Sequence, residues 1–236
     1  MSEAIRLSKR LVELLGCSRR EAELYIEGGW VTVDGVVVDT PQFMVQAQQV
    51  ELLPGAVAAP SDPVTLLLNQ PPAQHSEQAL GLITPESRWA EQASDVRTLK
   101  SHFARQQTCL PLQAGASGLL VFTQDWRTLR KLNDDAAKLE QEYIVEVIGQ
   151  IATDGLKRLG QVQTIRGEVL PKVKASWQNE THLRIALKNP GPAIIVRLCD
   201  SVGLKVTAMK RIRIGGVAMG KLPVGQWRYL GANERF

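Results

Sequence analysis

The segment from Gln113 to Leu120 joins a glycine-bearing turn to a strand-like run, an arrangement that can hold one polar side chain at a strand mouth. The residue that would do so is Gln113. An amide is neither a useful base nor a good nucleophile near neutral pH, and no Asp or Glu occurs from Val96 to Gln124. Acid–base work at this turn would need a carboxylate from outside that window, such as Asp95 or Asp125. Tyr143 supplies a ring that suits either a core or a stacked base. Cys17, Cys109 and Cys199 lie far apart and are odd in number, and His75, His102 and His182 are equally scattered. This spacing favours reduced structural thiols and no metal site.

Basic residues form the second chemical pattern. Arg6, Lys9, Arg10, Arg19 and Arg20 cluster near the start, and Lys210, Arg211 and Arg213 lie in one short run. Residues 1–53 carry 5 Lys/Arg against 8 Asp/Glu, whereas residues 172–236 carry 12 against 3. The basic C-terminal third points to a polyanionic partner or to a solvated basic face. Arg19 and Arg20 would sit in the first turn of a helix, where cations oppose the macrodipole. That placement is easier to understand if they meet phosphate, although Glu13, Glu21 and Glu23 could pair with the arginines instead.

The elements that position these residues follow from pattern. Leu7, Leu11, Leu14 and Leu15 make one apolar helical face, ended by Gly16. Ser18-Arg19-Arg20-Glu21 is a capping box opening a second helix, with Ala22, Tyr25 and Ile26 inward and a stop at Gly28-Gly29. Asp34-Gly35 turns a hairpin between Val31–Val33 and Val36–Val38, and a third strand lies near Val50 to Leu53. Pro54 to Pro63 reads as a linker. Beyond it, strands are expected at Val64–Asn69, Gly118–Thr123, Tyr143–Ile148 and Lys210–Ile214, and helices at Gln92–Arg105, Asp125–Leu139 and Ala193–Val202. Alternation along the last strand would put Arg211 and Arg213 on one face. The mixture is α+β without a doubly wound repeat. It predicts a small helix-helix-hairpin domain at 1–53, a linker at 54–63 and a mixed, largely antiparallel domain at 64–236. The apolar runs are too short to span a bilayer and the N-terminus lacks a secretory core, so a cytoplasmic protein is expected.

The first module resembles the ribosomal S-four-type RNA-binding domain, through Arg6-Leu7, Ser18-Arg19-Arg20-Glu21-Ala22, Ile26-Glu27-Gly28-Gly29 and Val31-Thr32-Val33-Asp34-Gly35. The rest resembles the ribosomal RNA pseudouridine synthases of the RsuA and RluF type. Leu68-Asn69-Gln70-Pro71 is similar to that family's LNKP, Gln141-Glu142-Tyr143 to its KEY, Lys210-Arg211-Ile212-Arg213-Ile214 to its basic strand, and Leu222-Pro223-Val224-Gly225-Gln226-Trp227-Arg228 to its closing LPxGxWR. The resemblance implies a uridine-to-pseudouridine isomerase: the C–N glycosidic bond breaks, and the base turns and rejoins through carbon. No metal or organic cofactor is implied. The target nucleotide leaves its stack to react, at a few kcal/mol. In the family an aspartate acts at the position of Gln113, an arginine that holds it ionised falls on Val196, and a tyrosine stands at Tyr143.

Against that pattern the chemistry has lost its charge. GRLD reads Leu110-Pro111-Leu112-Gln113, the LNKP lysine is Gln70, and the KEY lysine is Gln141. A buried ion pair cut on one side costs roughly 3–5 kcal/mol, which neutral replacement of both members avoids. A one-residue shift would bring Arg197 in place of Val196. The resulting expectation is an RNA-binding relative with a degenerate catalytic site, a monomer by default, gripping structured, ribosomal RNA through Arg6, Lys9, Arg10, Arg19, Arg20, Lys210, Arg211 and Arg213. A working synthase of unusual chemistry and a protein-interaction scaffold are the alternatives.

Overall fold

The computed structural model describes residues 3–72, 78–92, 96–165, 167–188 and 190–236. The chain divides into two compact units, one of Met1–Pro63 with Asp95–Arg105, the other of Val64–Ser94 with Gln106–Phe236.

In the first unit, β1 (Ile5–Arg6) leads into α1 (Leu7–Leu15), followed by α2 (Arg19–Glu27). The capping box is complete: Glu21 N–H donates to Ser18 Oγ at 3.2 Å, and Ser18 N–H donates to Glu21 Oε2 at 2.8 Å. Strands β2 (Val31–Val33), β3 (Val36–Val37), β4 (Met44–Val45) and β5 (Val50–Leu52) follow. The β2–β3 hairpin turns on Asp34 (φ 50°) and Gly35 (φ 77°), the left-handed pair such a two-residue turn requires. Leu7, Leu11, Ala22, Ile26, Val31, Val33 and Val45 form the core. Leu14 and Leu15, expected on the inner face, are exposed instead. They fall in the last turn before Gly16, where the helix overruns its small partner.

In the second unit, β6 (Thr65–Gln70), β7 (Gln107–Cys109) and β8 (Ala116–Thr123) precede α3 (Trp126–Asp134). Then come β9 (Glu140–Gly149), α4 (Gly155–Leu159), the small hairpin β10 (Gln163–Ile165) with β11 (Glu168–Leu170), β12 (Lys174–Trp177) and β13 (His182–Lys188). The chain closes with α5 (Ile194–Ser201), β14 (Leu204–Ile214), β15 (Val217–Ala218) and β16 (Trp227–Tyr229). The main sheet runs β12-β13-β9-β14-β8-β6-β16, with β7 and β15 as side branches. Within it β8 and β14 pair in parallel and the other strand pairs are antiparallel. This is the α+β, mixed and largely antiparallel sheet that the sequence predicts.

Three expected elements differ. Of the helix expected over Gln92 to Arg105, the described residues hold a 3₁₀ turn, Lys100–Phe103. The segment carries Val96, Thr98 and Ser101, weak helix formers, and its contacts tie it to the first unit. The helix expected over Asp125 to Leu139 stops at Asp134. Asp134 and Asp135 put negative charge at its C-terminal end, against the macrodipole, and a 3₁₀ turn (Ala136–Lys138) follows. Finally, Arg211 and Arg213 do not share a face. The β14–β9 register slips between them, with Arg211 opposite Tyr143 and Arg213 opposite Glu142. This β-bulge spends Ile212 as the extra residue and sends the two arginines to opposite sides.

Candidate active site

The β7–β8 loop carries Gln113. Its first residue, Leu110, is left-handed (φ 49°), and the turn closes with Gly115 (φ 76°) and a hydrogen bond from Ala116 N–H to Gln113 O at 2.9 Å. The strand then presses against β14 so closely at Gly118 (φ 99°) that a Cβ there would stand 2.3 Å from the Arg211 carbonyl oxygen. Only glycine fits, which gives the Ser117-Gly118 pair a packing reason independent of chemistry.

Gln113 is 9 % exposed. Its Nε2 donates to Gly191 O at 2.9 Å, in the turn before α5, while its buried Oε1 has no hydrogen-bond partner among the described residues. Leu112 and Val196 pack against the same core cluster as Tyr143, Ile194, Ile195 and Leu198. The loop, the first turn of α5 and the middle of β9 therefore all border one core cluster. Arg197 is exposed and donates to Pro192 O at 3.0 Å. Val196, not Arg197, is the residue directed at the core.

Tyr143 is fully buried and donates to Gln141 Oε1 at 3.0 Å. Burial pushes its phenol above the usual value, and the neighbouring Arg211 cation only partly offsets this. Gln141 Oε1 also accepts from Arg211 Nη1 at 3.0 Å. Arg211 itself is 0 % exposed, although expected to bind RNA. Its Nε donates to Leu119 O at 2.8 Å, Nη2 to Leu110 O at 2.7 Å, and Nη1 also to Pro111 O at 3.4 Å. A side chain so enclosed cannot reach a phosphate; it fixes the loop that carries Gln113. The bulge and long-range pairing that put it there leave no mark in local spacing.

Arg213 also departs from the expected surface. Its Nε meets Glu142 Oε2 and its Nη2 meets Glu140 Oε1, each at 2.8 Å. Arg184 completes a pair with Glu142, and Lys174 reaches Glu140 at 2.9 Å. Lys210 is half-buried. In the first unit Arg6, Lys9 and Arg20 are exposed. Arg19 pairs with Glu23 at 2.9 Å, and Arg10 approaches Glu13 at 3.8 Å, both on open surface where such pairs contribute little.

Of the alternative carboxylates, Asp95 lies outside the described residues. Asp125 caps α3, accepting from the backbone N–H of Arg127 and Thr128 and from the Thr128 hydroxyl. Partial burial raises its pKa, but these bonds and Arg127 outweigh it and hold the carboxyl below the ordinary range. It is occupied as a cap. Burial pushes the Cys109 and Cys199 thiols up to about 11 and about 12, so both are inert. Among the described residues no three His, Cys, Asp or Glu side chains gather as a metal site, and no helix is long and apolar enough to cross a membrane.

This fold is that of a pseudouridylate synthase. A crystal structure of such an enzyme superposes with a TM-score of 0.59, at 16% identity over 96% of each chain. Residues 5–50 match the S4 domain. An uncharacterized RNA pseudouridine synthase of Aquifex aeolicus (strain VF5) is 28% identical over 98% of this chain and 94% of its own. The dual-specificity RNA pseudouridine synthase RluF of Escherichia coli (strain K12) is 27% identical over 98% of this chain and 77% of its own. Over nearly its whole length the chain is thus similar to RNA pseudouridine synthases of the RluF type, with an S4 domain matched at its start.

Proposed function

We propose that this protein is an RNA-binding homologue of the ribosomal RNA pseudouridine synthases whose catalytic site has degenerated. The observation that carries the reading is the Gln113 amide. It is held by Gly191 O, and Val196 packs into the apolar cluster beside it. The acceptors to which Gln113, Tyr143 and Arg211 donate are carbonyl and amide oxygens, the Gln141 amide among them, with no carboxylate among the described residues. A neutral amide at the reacting position supplies neither a nucleophile nor a base, and losing a catalytic nucleophile can cost on the order of 10⁶ in rate. Arg6, Lys9, Arg19 and Arg20 of the S4 domain remain exposed for phosphate. The RNA is structured and ribosomal, and the protein acts in the cytoplasm, as a monomer, without metal or cofactor.

Tritium release from ribosomal RNA carrying [5-³H]uridine tests this directly. The unmodified protein should release none above background, and the double variant Gln113→Asp with Val196→Arg should recover measurable release. Turnover by the unmodified protein would overturn the degenerate-site reading in favour of an active synthase.

A further inference from the structure

The S4 match ends at residue 50, yet the folded first unit also contains the strap Asp95–Arg105. Arg97 donates to Gly29 O and its guanidinium lies 5.7 Å from the Trp30 ring centroid. Leu99 is buried against Gly29, where a Cβ would come within 2.6 Å of its Cδ2. Lys100 N–H donates to Asp39 Oδ2 at 2.6 Å, and Ser101 shares a 3.1 Å hydrogen bond with Ser61. The strap is therefore built in, and it delivers an exposed cation, Lys100, beside Asp39.

What lies next to Asp39 gives that delivery its meaning. Two residues on, Pro41 O accepts from Ser8 N–H at 3.2 Å, and Phe43 O accepts from Leu7 N–H at 2.7 Å. The 39–43 loop therefore sits on the first turn of α1, between exposed Arg6 and Lys9. Met44 pairs with Arg6 across β1 and β4. Phe43 and Met44 are 41% and 50% exposed, an aromatic ring and a polarisable apolar side chain among cations. Asp39 lies in this loop, and its oxygens are engaged by Lys100 N–H and the Thr40 hydroxyl. Of the helix acids, Glu21 is spent on the cap, Glu23 on Arg19 and Glu13 on Arg10.

We infer that the strap completes a polynucleotide-binding face on the first unit, in which Arg6, Lys9 and Lys100 hold phosphates and Phe43 stacks on an unpaired base. Cations interleaved with an exposed ring are the pattern that single-stranded nucleic acid recognises. This rests on the RNA-binding reading above, and adds a residue from outside the S4 match.

The test uses the full chain and protein-free ribosomal RNA fragments as the probe, with binding followed across a salt titration. Lys100→Gln should lower the slope of log K against log salt by about 0.7–0.9, the value of one phosphate contact. Lys100→Arg should restore it. Phe43→Ala should leave the slope unchanged and weaken binding about 5- to 150-fold, the loss of one stacked base at ~1–3 kcal/mol. Thermal melts of the two Lys100 variants should coincide with that of the parent, because the changed atoms are exposed, and Phe43→Ala, whose ring is partly covered, is compared at temperatures where its own melt shows it folded. If the parent binds and both Lys100→Gln and Phe43→Ala bind as it does, the strap proposal is wrong while the RNA-binding reading stands. If the parent binds no RNA, both fall.

Discussion

On one face of the β9–β14 pair Arg213 reaches two carboxylates; on the other, one bulge away, Arg211 reaches only carbonyl and amide oxygens. Glu140 and Glu142 alternate along β9 with Gln141 and Tyr143, so each strand contributes to both arrangements. The first face solves its charge by pairing, at the edge of solvent, where Arg213 keeps 29% of its side chain exposed. The second has no carboxylate partner for its cation among the described residues. It solves its charge by surrounding one guanidinium with dipoles, fully away from water. Paired charges at a wet edge can be lost cheaply. A buried cation held by backbone oxygens cannot, because every acceptor it leaves is stranded. The inner arrangement is the one that holds the Gln113 loop, which explains how the loop keeps its shape without a catalytic carboxylate.

The largest effect should therefore come from Arg211→Met. It removes the donors to Leu119 O and Gln141 Oε1, which are buried, and to Leu110 O and Pro111 O, which are partly so. The expected loss is about 3–5 kcal/mol of unfolding free energy, at roughly 1–3 for each acceptor stranded away from water, measured by urea denaturation. Arg213→Met, by comparison, should cost roughly 1 kcal/mol, because its site is partly exposed and Glu142 keeps Arg184. Equal costs for the two variants would erase the distinction between the faces.

Much of this arrangement could be read from the sequence, and the unread parts share a cause. The Ser18–Glu21 cap and the Asp34-Gly35 turn are local, and residue type alone specifies them. The closing motif Leu222–Arg228 was visible as a resemblance, but the short strand Trp227–Tyr229 at its end was not among the strands expected. The Gln113 loop, Val196 and Tyr143 were placed together by resemblance alone; Leu112 and Val196 pack against the large core cluster to which Tyr143 belongs. The bulge between Arg211 and Arg213 was not legible, because one inserted residue changes no composition and no periodicity that a five-residue strand can display. The same holds for the strap: Arg97 meets Gly29 across 68 positions, and nothing in either neighbourhood announces the other. Leu14 and Leu15 mislead for the opposite reason, a good helical period continuing past the end of its partner.

A second, smaller effect tests whether the inner face can accept the charge it lacks. Gln113→Asp replaces the amide that donates to Gly191 O with a carboxyl that, ionised, can only accept. Buried without a counter-ion, this carboxyl should have a folded-state pKa above its unfolded value. A raised acid pKa means the native state binds more protons, so the variant should lose stability as pH rises. The penalty should be about 2–3 kcal/mol at pH 7, shrinking by pH 4, with Val196→Arg relieving it. If Gln113→Asp shows no penalty at neutral pH, Arg211 is serving as the missing counter-ion, and the inner face is closer to a working site than its neutral partners suggest.

The remaining effect belongs to the outer face and has the opposite sign in pH. Arg184 donates to Glu142, burial opposes its ionisation, and Arg213 adds a second bond; the net result holds the carboxyl below its ordinary value of 4.5. Arg213 and Lys174 do the same for Glu140. A carboxyl whose folded pKa is depressed contributes stability above its unfolded value and loses it as pH falls through the folded one. Unfolding free energy should accordingly be flat from pH 7 to about 5 and decline below about 4.5. Glu142→Gln should cost about 1–2 kcal/mol at pH 7, since two partly exposed arginines lose one shared partner. That cost should shrink as pH falls through the depressed folded pKa, where the native carboxylate becomes protonated too. A Glu142→Gln penalty that persisted undiminished at pH 3 would mean the side chain matters there as packing rather than as charge, and the outer face would then differ from the inner one only in its exposure.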